Sequence, residues 1–337
     1  MSRAGLSTAA AADGRSAAAA AADPPARALA WTDGCVRLWR FGALPARRPP
    51  VLLVPSLLHR WTVFDLVPHA SLAATLAAAS LDVFALDWGP CDRDRRFGLD
   101  EALARLRRAR RAAQRLAAAP RAALVGYSQG ATLAAIDAAS SPDEVAALAT
   151  LAGPIDFAQG GLMAWLTDRR LCDADAIADA GGPAAGLFRP VAAAMASPAR
   201  DALAALPCGA PADRDTWLAL DAWSAEVVPL AAELFRAWVK SFYQDNALVA
   251  GHLRALGAPV DLARITAPVL VAVGAHDAVC PPASALALHV ATPRAASHET
   301  LALPGGHLSA IAGPAAPALL HRPLAAWLAR QLGATAA

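Results

Sequence analysis

The sequence predicts an α/β protein with a mainly parallel central sheet, helices on both faces and an inserted helical lid subdomain. Three observations carry this. Short, almost wholly apolar runs at 51–54, 83–86, 122–126, 145–151 and 269–273 are separated by stretches of helical character, the alternation that builds a parallel sheet buried on both faces. A Gly-x-Ser-x-Gly pentapeptide sits where one run meets a helix. About a hundred residues, 158–262, then break the rhythm, too many for a structureless loop.

Taken in order, residues 1–26 read as a low-complexity flexible leader. Its alanine run from Ser16 to Ala22 lacks the Leu, Ile or Phe of a secretory core, and Asp23-Pro24-Pro25 reads as linker. A targeting or amphipathic role is its other reading. The first part of the core spans 27–157, the helical insertion 158–262 and the second part of the core 263–337. The α/β pattern becomes legible from Trp31. Alternation over 35–41 suits an outer antiparallel strand, and the run at 51–54, stopped by Pro55, suits a buried one. Helices are expected at 71–80, 99–118, 129–139 and 316–332, with a further strand at 299–303. The insertion holds Trp165, Trp217, Trp223 and Trp238 with Phe188, Phe235, Phe242 and Tyr243. Packing onto the core explains most of these; an apolar lid over a substrate channel uses the same residues, and Trp223 and Phe242 are its candidate substrate-contacting side chains.

Composition narrows the function classes. The 337 residues are 56% hydrophobic and 17% charged, with a mean hydropathy of +0.37, yet the apolar residues are scattered and no stretch long enough to span a bilayer is uninterrupted. Much of the excess is alanine. A net charge of +2 gives no electrostatic reason to expect nucleic acid, and Lys240 is the sole lysine, a bias of composition more than a phosphate-binding surface. Five cysteines, Cys35, Cys91, Cys172, Cys208 and Cys280, are scattered without a C-x-x-C pair, so neither a disulfide framework nor a zinc site is expected and a cytoplasmic setting fits best. No phosphate-binding glycine loop or H-E-x-x-H pattern occurs, so no metal or resident cofactor is expected.

The pentapeptide carries the chemistry. Gly126-Tyr127-Ser128-Gln129-Gly130 follows an apolar strand and opens an alanine-rich helix, the setting of a nucleophile elbow in which glycines permit the sharp turn that projects a serine hydroxyl. Such a serine needs a base oriented by a carboxylate. Asp277 follows the 269–273 strand and His307 follows the 299–303 strand, both at the strand ends where α/β sheets gather their sites. Turn capping is the other reading of Asp277, and loop packing that of His307. Asp156 is the second candidate acid, though a helix cap or turn suits it better. Oxyanion donors are expected from the backbone N–H groups of Gln129 and of Leu57 in the Ser56–His59 loop.

Together these segments resemble the polyhydroxyalkanoate synthase family, a branch of the α/β-hydrolase fold, most closely its shorter two-subunit type. The likeness runs through Val54-Pro55 with Arg60, Phe64-Asp65-Leu66-Val67-Pro68, Leu86-Asp87-Trp88-Gly89, Gly98-Leu99-Asp100 and the elbow through Leu133. It continues with Pro154-Ile155-Asp156-Phe157, Asn246-Ala247-Leu248-Val249, the 260–265 segment and Gly305-Gly306-His307. The resemblance implies acyl transfer from a hydroxyacyl-coenzyme A thioester, with coenzyme A as part of the substrate, a polymer granule or synthase subunit as partner, and a homodimer as one assembly. The chain departs from the family at the nucleophile, where Ser128 stands for a cysteine, at Asp277-Ala278-Val279-Cys280-Pro281 and at Trp223-Ser224-Ala225-Glu226. A thiolate is a good leaving group suited to repeated acyl passage; a serine ester leans toward hydrolysis. Neither Cys91 nor Cys280 occupies an elbow. The expectation is therefore an acyltransferase, with a serine esterase or depolymerase as the alternative and a non-catalytic acyl-chain or granule-binding homologue as the third.

Overall fold

The computed structural model describes residues 27–42, 48–90, 97–183 and 211–333. The leader 1–26, Cys91, Phe188 and Cys208 lie outside the described residues. Strands β1 (Arg27–Asp33), β2 (Val36–Phe41), β3 (Val51–Val54), β4 (Val83–Asp87), β5 (Ala122–Tyr127), β6 (Val145–Leu151), β7 (Arg254–Ala255), β8 (Ala258–Pro259), β9 (Val269–Gly274) and β10 (His298–Leu303) follow in chain order. Eight of them form one sheet in the order β1-β2-β4-β3-β5-β6-β9-β10, parallel from β4 to β10, with β1 and β2 antiparallel at one edge.

Side-chain alternation along the strands sorts the core into two layers. Leu52, Val54, Phe84, Leu86 and Leu124 point to one face, where they meet α2 (Leu99–Leu116) and α3 (Gln129–Ser140). Val51, Leu53, Val83, Ala85 and Val125 point to the other, toward α1 (Leu72–Ala78) and the C-terminal helix Arg322–Gln331. Because both faces are covered, β3, β5, β6 and β9 are buried along their whole length, which is why they read as unbroken apolar runs.

Three elements differ from the sequence expectation. β1 begins at Arg27, ahead of the legible pattern, because it pairs only with β2 and is largely exposed, so no apolar face marks it. A helix at Pro282–Ala291 carries the chain between the parallel strands β9 and β10, a crossover that parallel pairing requires. The expected helix over 316–332 opens as a π-helical segment, Pro317–His321, before becoming α-helical.

The insertion supplies helices Gly161–Leu166, Ala174–Asp179, Pro211–Ala225 and Ala232–Ala237, the last continuing as a π-helical segment, Trp238–Gln244. Phe242 lies at the centre of an aromatic group, 4.5 Å from Trp238 and 5.0 Å from Phe157 between ring centroids, and is fully buried. It packs the insertion against the end of β6 and is closed to solvent, where the sequence reading has it as a candidate substrate contact.

A buried ion cluster clamps α2 to α3. Arg110 donates to Asp137 at 2.6 Å and to Glu144 at 2.6 Å, while Arg107 reaches the other Asp137 oxygen at 3.0 Å. The Arg110 and Asp137 side chains are both 0% exposed, so each charge depends on its partner. Asp137→Ala should lower the unfolding free energy by about 3 kcal/mol in denaturant titrations, because it removes the buried one of the two carboxylates that pair with the buried Arg110 guanidinium. His321 gives a second test. It donates from Nε2 to the Ile311 carbonyl at 3.0 Å, and burial pushes its imidazole down from 6.5 to about 4. Between those values the unfolded chain binds the extra proton, so stability falls as pH drops from 6.5 toward 4, by on the order of 3 kcal/mol. His321→Gln should flatten that part of the pH–stability curve.

Candidate active site

Three consecutive features build the elbow. β5 ends at Tyr127, Ser128 takes φ +54° and ψ −125°, and α3 starts at Gln129. Positive φ is costly for a residue with a Cβ, on the order of 1–3 kcal/mol, and persists only where surroundings enforce it. Here the Ser128 N–H donates to the Leu151 carbonyl at 2.9 Å, pinning the turn to β6. The flanking glycines allow the close approach: a Cβ on Gly126 would lie 2.4 Å from the Ala131 Cα, and one on Gly130 would lie 2.2 Å from the Val54 carbonyl oxygen.

At the ends of neighbouring parallel strands stand the other two candidates. The Ser128 hydroxyl lies 3.0 Å from His307 Nε2, and His307 Nδ1 lies 2.7 Å from Asp277 Oδ2. The second Asp277 oxygen accepts from the backbone N–H groups of Val279 at 2.9 Å and Cys280 at 2.8 Å, so the carboxylate is fixed by both oxygens. An acceptor at Nδ1 holds the proton there and turns the Nε2 lone pair toward the serine hydroxyl, which donates to it. Asp277 and His307 are buried, while Ser128 retains access. Asp156 is elsewhere employed: it caps the short helix Phe157–Gln159 through Ala158 N–H and accepts from Asn246 Nδ2 at 2.8 Å.

The expected oxyanion donors come close together but not as free groups. Leu57 N–H donates to the side-chain oxygen of Gln129 at 3.2 Å, and the Ser56 hydroxyl donates to the same oxygen at 3.1 Å. Leu57 N–H, the expected loop donor, is thus engaged by the Gln129 side chain. The reason is that a buried N–H takes an available acceptor, and spacing in the sequence cannot show that the Gln129 carboxamide reaches back to it. Since a backbone N–H can only donate, the orientation of that carboxamide is set as well. The Gln129 backbone N–H belongs to the first turn of α3, whose amides have no intrahelical acceptor.

Sequence reasoning missed His59. Its ring stacks on Trp223 with centroids 4.5 Å apart, and its Nε2 lies 3.4 Å from the Ser224 carbonyl. Burial, with a smaller effect from His307, pushes the imidazole down from 6.5 to about 4, so it is neutral at neutral pH and Nε2–H donates. Its position beyond an apolar strand end was the only available signal. Trp223, expected to contact substrate, is instead buried against this loop with its indole N–H donating to the Arg60 carbonyl at 3.0 Å. Beside the loop lies a cavity of about 520 Å³ lined by Leu57, His59, Trp61, Trp88, Val227 and Val228, a size typical of small-molecule sites.

Two further points bear on chemistry. Burial, then the charge of Asp277, raises the Cys280 thiol well above its usual range, so it stays protonated and is no substitute nucleophile. Among the described residues, no group of three or more His, Cys, Asp or Glu side chains is arranged to hold a metal ion, and no helix is long and apolar enough to cross a membrane.

Comparison with known proteins accords with this arrangement. Residues 49–314 match the alpha/beta hydrolase fold family. The chain is 29% identical over 296 residues to a poly(3-hydroxyalkanoate) polymerase subunit PhaC of Synechocystis, covering 84% of this chain and 78% of that one. It is 29% identical over 276 residues to the subunit of the same name from Allochromatium vinosum, covering 79% and 77%. Among solved structures, a Paleococcus ferrophilus monoacylglycerol lipase superposes with a TM-score of 0.55 at 17% identity, over 88% of this chain and 99% of that one. The thioesterase domain of the curacin biosynthetic pathway gives 0.52 at 18%, over 92% and 99%. A serine elbow after β5, with an aspartate after β9 and a histidine after β10, thus sits on a chain that belongs to the α/β-hydrolase fold family and is similar to poly(3-hydroxyalkanoate) polymerase subunits.

Proposed function

We propose that this protein is an acyl-transfer enzyme that forms an acyl-serine at Ser128 from a hydroxyacyl thioester or ester. The observation that carries the reading is the continuous relay from the Ser128 hydroxyl through His307 to Asp277, at 3.0 and 2.7 Å. His307 Nε2 takes the hydroxyl proton as the oxygen attacks the carbonyl carbon, and Asp277 stabilises the imidazolium. The oxyanion gathers at the Gln129 backbone N–H and at Leu57 N–H, where it displaces the neutral Gln129 oxygen as the stronger acceptor. Collapse breaks the bond to the thiol or alcohol, which leaves with the proton from His307. An incoming hydroxyl, activated by the same imidazole, then takes the acyl group. No resident cofactor enters these steps; coenzyme A would arrive as the leaving group.

The polymerase relatives favour the hydroxyl end of a growing polyester as acceptor, with a granule surface or synthase subunit as partner in the cytoplasm. Ser128 itself favours the second reading, an esterase or depolymerase in which water is the acceptor, because an oxygen ester lacks the good leaving group of a thioester.

Wild-type protein should label with an active-site-directed fluorophosphonate and Ser128→Ala should not; absence of labelling in folded wild type would favour a non-catalytic binding role. Ser128→Ala or His307→Ala should reduce turnover by roughly three to six orders of magnitude. Asp277→Asn should cost about four orders of magnitude, with Asp156→Asn near wild type, and the reverse result would move the acid to Asp156. Incubation with 3-hydroxybutyryl-coenzyme A, measuring coenzyme A, free acid and polymer, separates the acceptors: polymer supports the synthase, and free acid alone the hydrolase.

A further inference from the structure

The loop that carries the oxyanion donor is held from two sides. From the core side, Gln129 accepts from Ser56 and Leu57. From the other side, every residue from Leu58 to Arg60 is tied to one short segment of the insertion, at the end of helix Pro211–Ala225. The Leu58 carbonyl accepts from Val228 N–H at 2.7 Å. His59 donates to the Ser224 carbonyl and stacks on the Trp223 indole, and the Arg60 carbonyl accepts from Trp223 Nε1. Arg60 also pairs with Glu226 at 3.0 Å, but both side chains are more than 60% exposed and the pair contributes little.

Resting on the acyl-transfer reading above, we infer that Trp223, with His59 as its stacking partner, is a positioning residue for the oxyanion site: the insertion holds the Ser56–Arg60 loop in the register that presents Leu57 N–H to the reacting carbonyl. The physical ground is the weakness of the alternative. The loop follows Pro55 at the end of β3, where the strand ladder has stopped, and within it a turn bond runs from Leu58 N–H to the Ser56 hydroxyl at 3.3 Å. Without the insertion's contacts at Leu58 to Arg60 the far side of the loop would lose pre-organisation, and electrostatic stabilisation of an oxyanion depends on donors that do not have to reorganise. The indole N–H of Trp223 and the ring of His59 replace the missing ladder. The cavity of about 520 Å³ is bounded by the same two segments, Leu57 to Trp61 and Glu226 to Pro229, so the joint between them forms part of its wall.

Trp223→Phe tests this, because it keeps a ring for the stack and deletes only the N–H to Arg60. The readout is the rate constant for phosphonylation by a fluorophosphonate, in which the Ser128 oxygen bonds to phosphorus, fluoride departs and charge develops on the phosphoryl oxygen. The expected result is a rate constant about 10- to 100-fold lower, with a parallel fall in kcat for p-nitrophenyl butyrate, KM within about threefold and a thermal midpoint within a few degrees of wild type. A merely structural role would lower the fraction of protein that labels and leave the rate constant of the labelled fraction unchanged. His59→Phe, which retains stacking and removes the donor to Ser224, should lower the same rate constant less and provides the test if Trp223→Phe fails to fold. Wild-type rate constants in both ring variants would overturn the inference, whereas failure of wild-type protein to label would instead overturn the acyl-transfer reading.

Discussion

Everything at the site depends on how closely the first turn of α3 can approach the end of β3. A side chain at Gly130 would collide with the Val54 and Pro55 carbonyl oxygens, at 2.2 and 2.4 Å from its Cβ. Because there is none, the close approach is allowed, with Ser128 in its positive-φ turn and the Gln129 side chain within reach of Ser56 and Leu57. One missing methyl group therefore sets both the projection of the nucleophile and the spacing between the two oxyanion donors. The sheet provides the force that holds this strain: β5 is flanked by β3 and β6 and buried on both faces, so relaxation of the elbow would disturb a fully buried strand.

Burial then does different work on each titratable group nearby. Asp277 is buried but receives two backbone N–H groups on one oxygen and the imidazole of His307 on the other, so neither oxygen is left without a donor. His59 is buried with only a carbonyl as partner, and the cost of desolvating an imidazolium leaves it neutral. Cys280, three residues after Asp277, is held as a thiol by burial and by the Asp277 charge. Two histidines and one thiol within the same region thus have distinct roles, assigned by what each touches and not by residue type.

The segment between β6 and β9 meets the site at more than one place. Its Phe242–Trp238 end is welded to Phe157, just beyond β6, and its Gly161–Leu166 helix meets the acid loop, where Leu162 N–H donates to the Ala278 carbonyl at 3.0 Å. Its Trp223–Val228 segment meets the oxyanion loop. The two loops that flank the nucleophile are therefore both in contact with one inserted unit, and a displacement of that unit is felt on the acid side and on the oxyanion side together.

The sequence by itself determined the buried parallel strands, the elbow and the order of serine, aspartate and histidine, because each is a local pattern: an apolar run, a Gly-x-Ser-x-Gly turn, a polar residue just past a strand. It did not reveal β1, whose exposed faces leave no periodic mark, nor the crossover helix Pro282–Ala291, which sheet topology demands but composition does not announce. The partners of Leu57, the burial of Phe242 and the joining of Trp223 to Arg60 were decided only by the tertiary structure. Gln129 and Leu57 are 72 residues apart, and Trp223 and Arg60 are 163 apart. Hydrogen bonds across such separations depend on where whole elements pack, and no nearest-neighbour pattern encodes that.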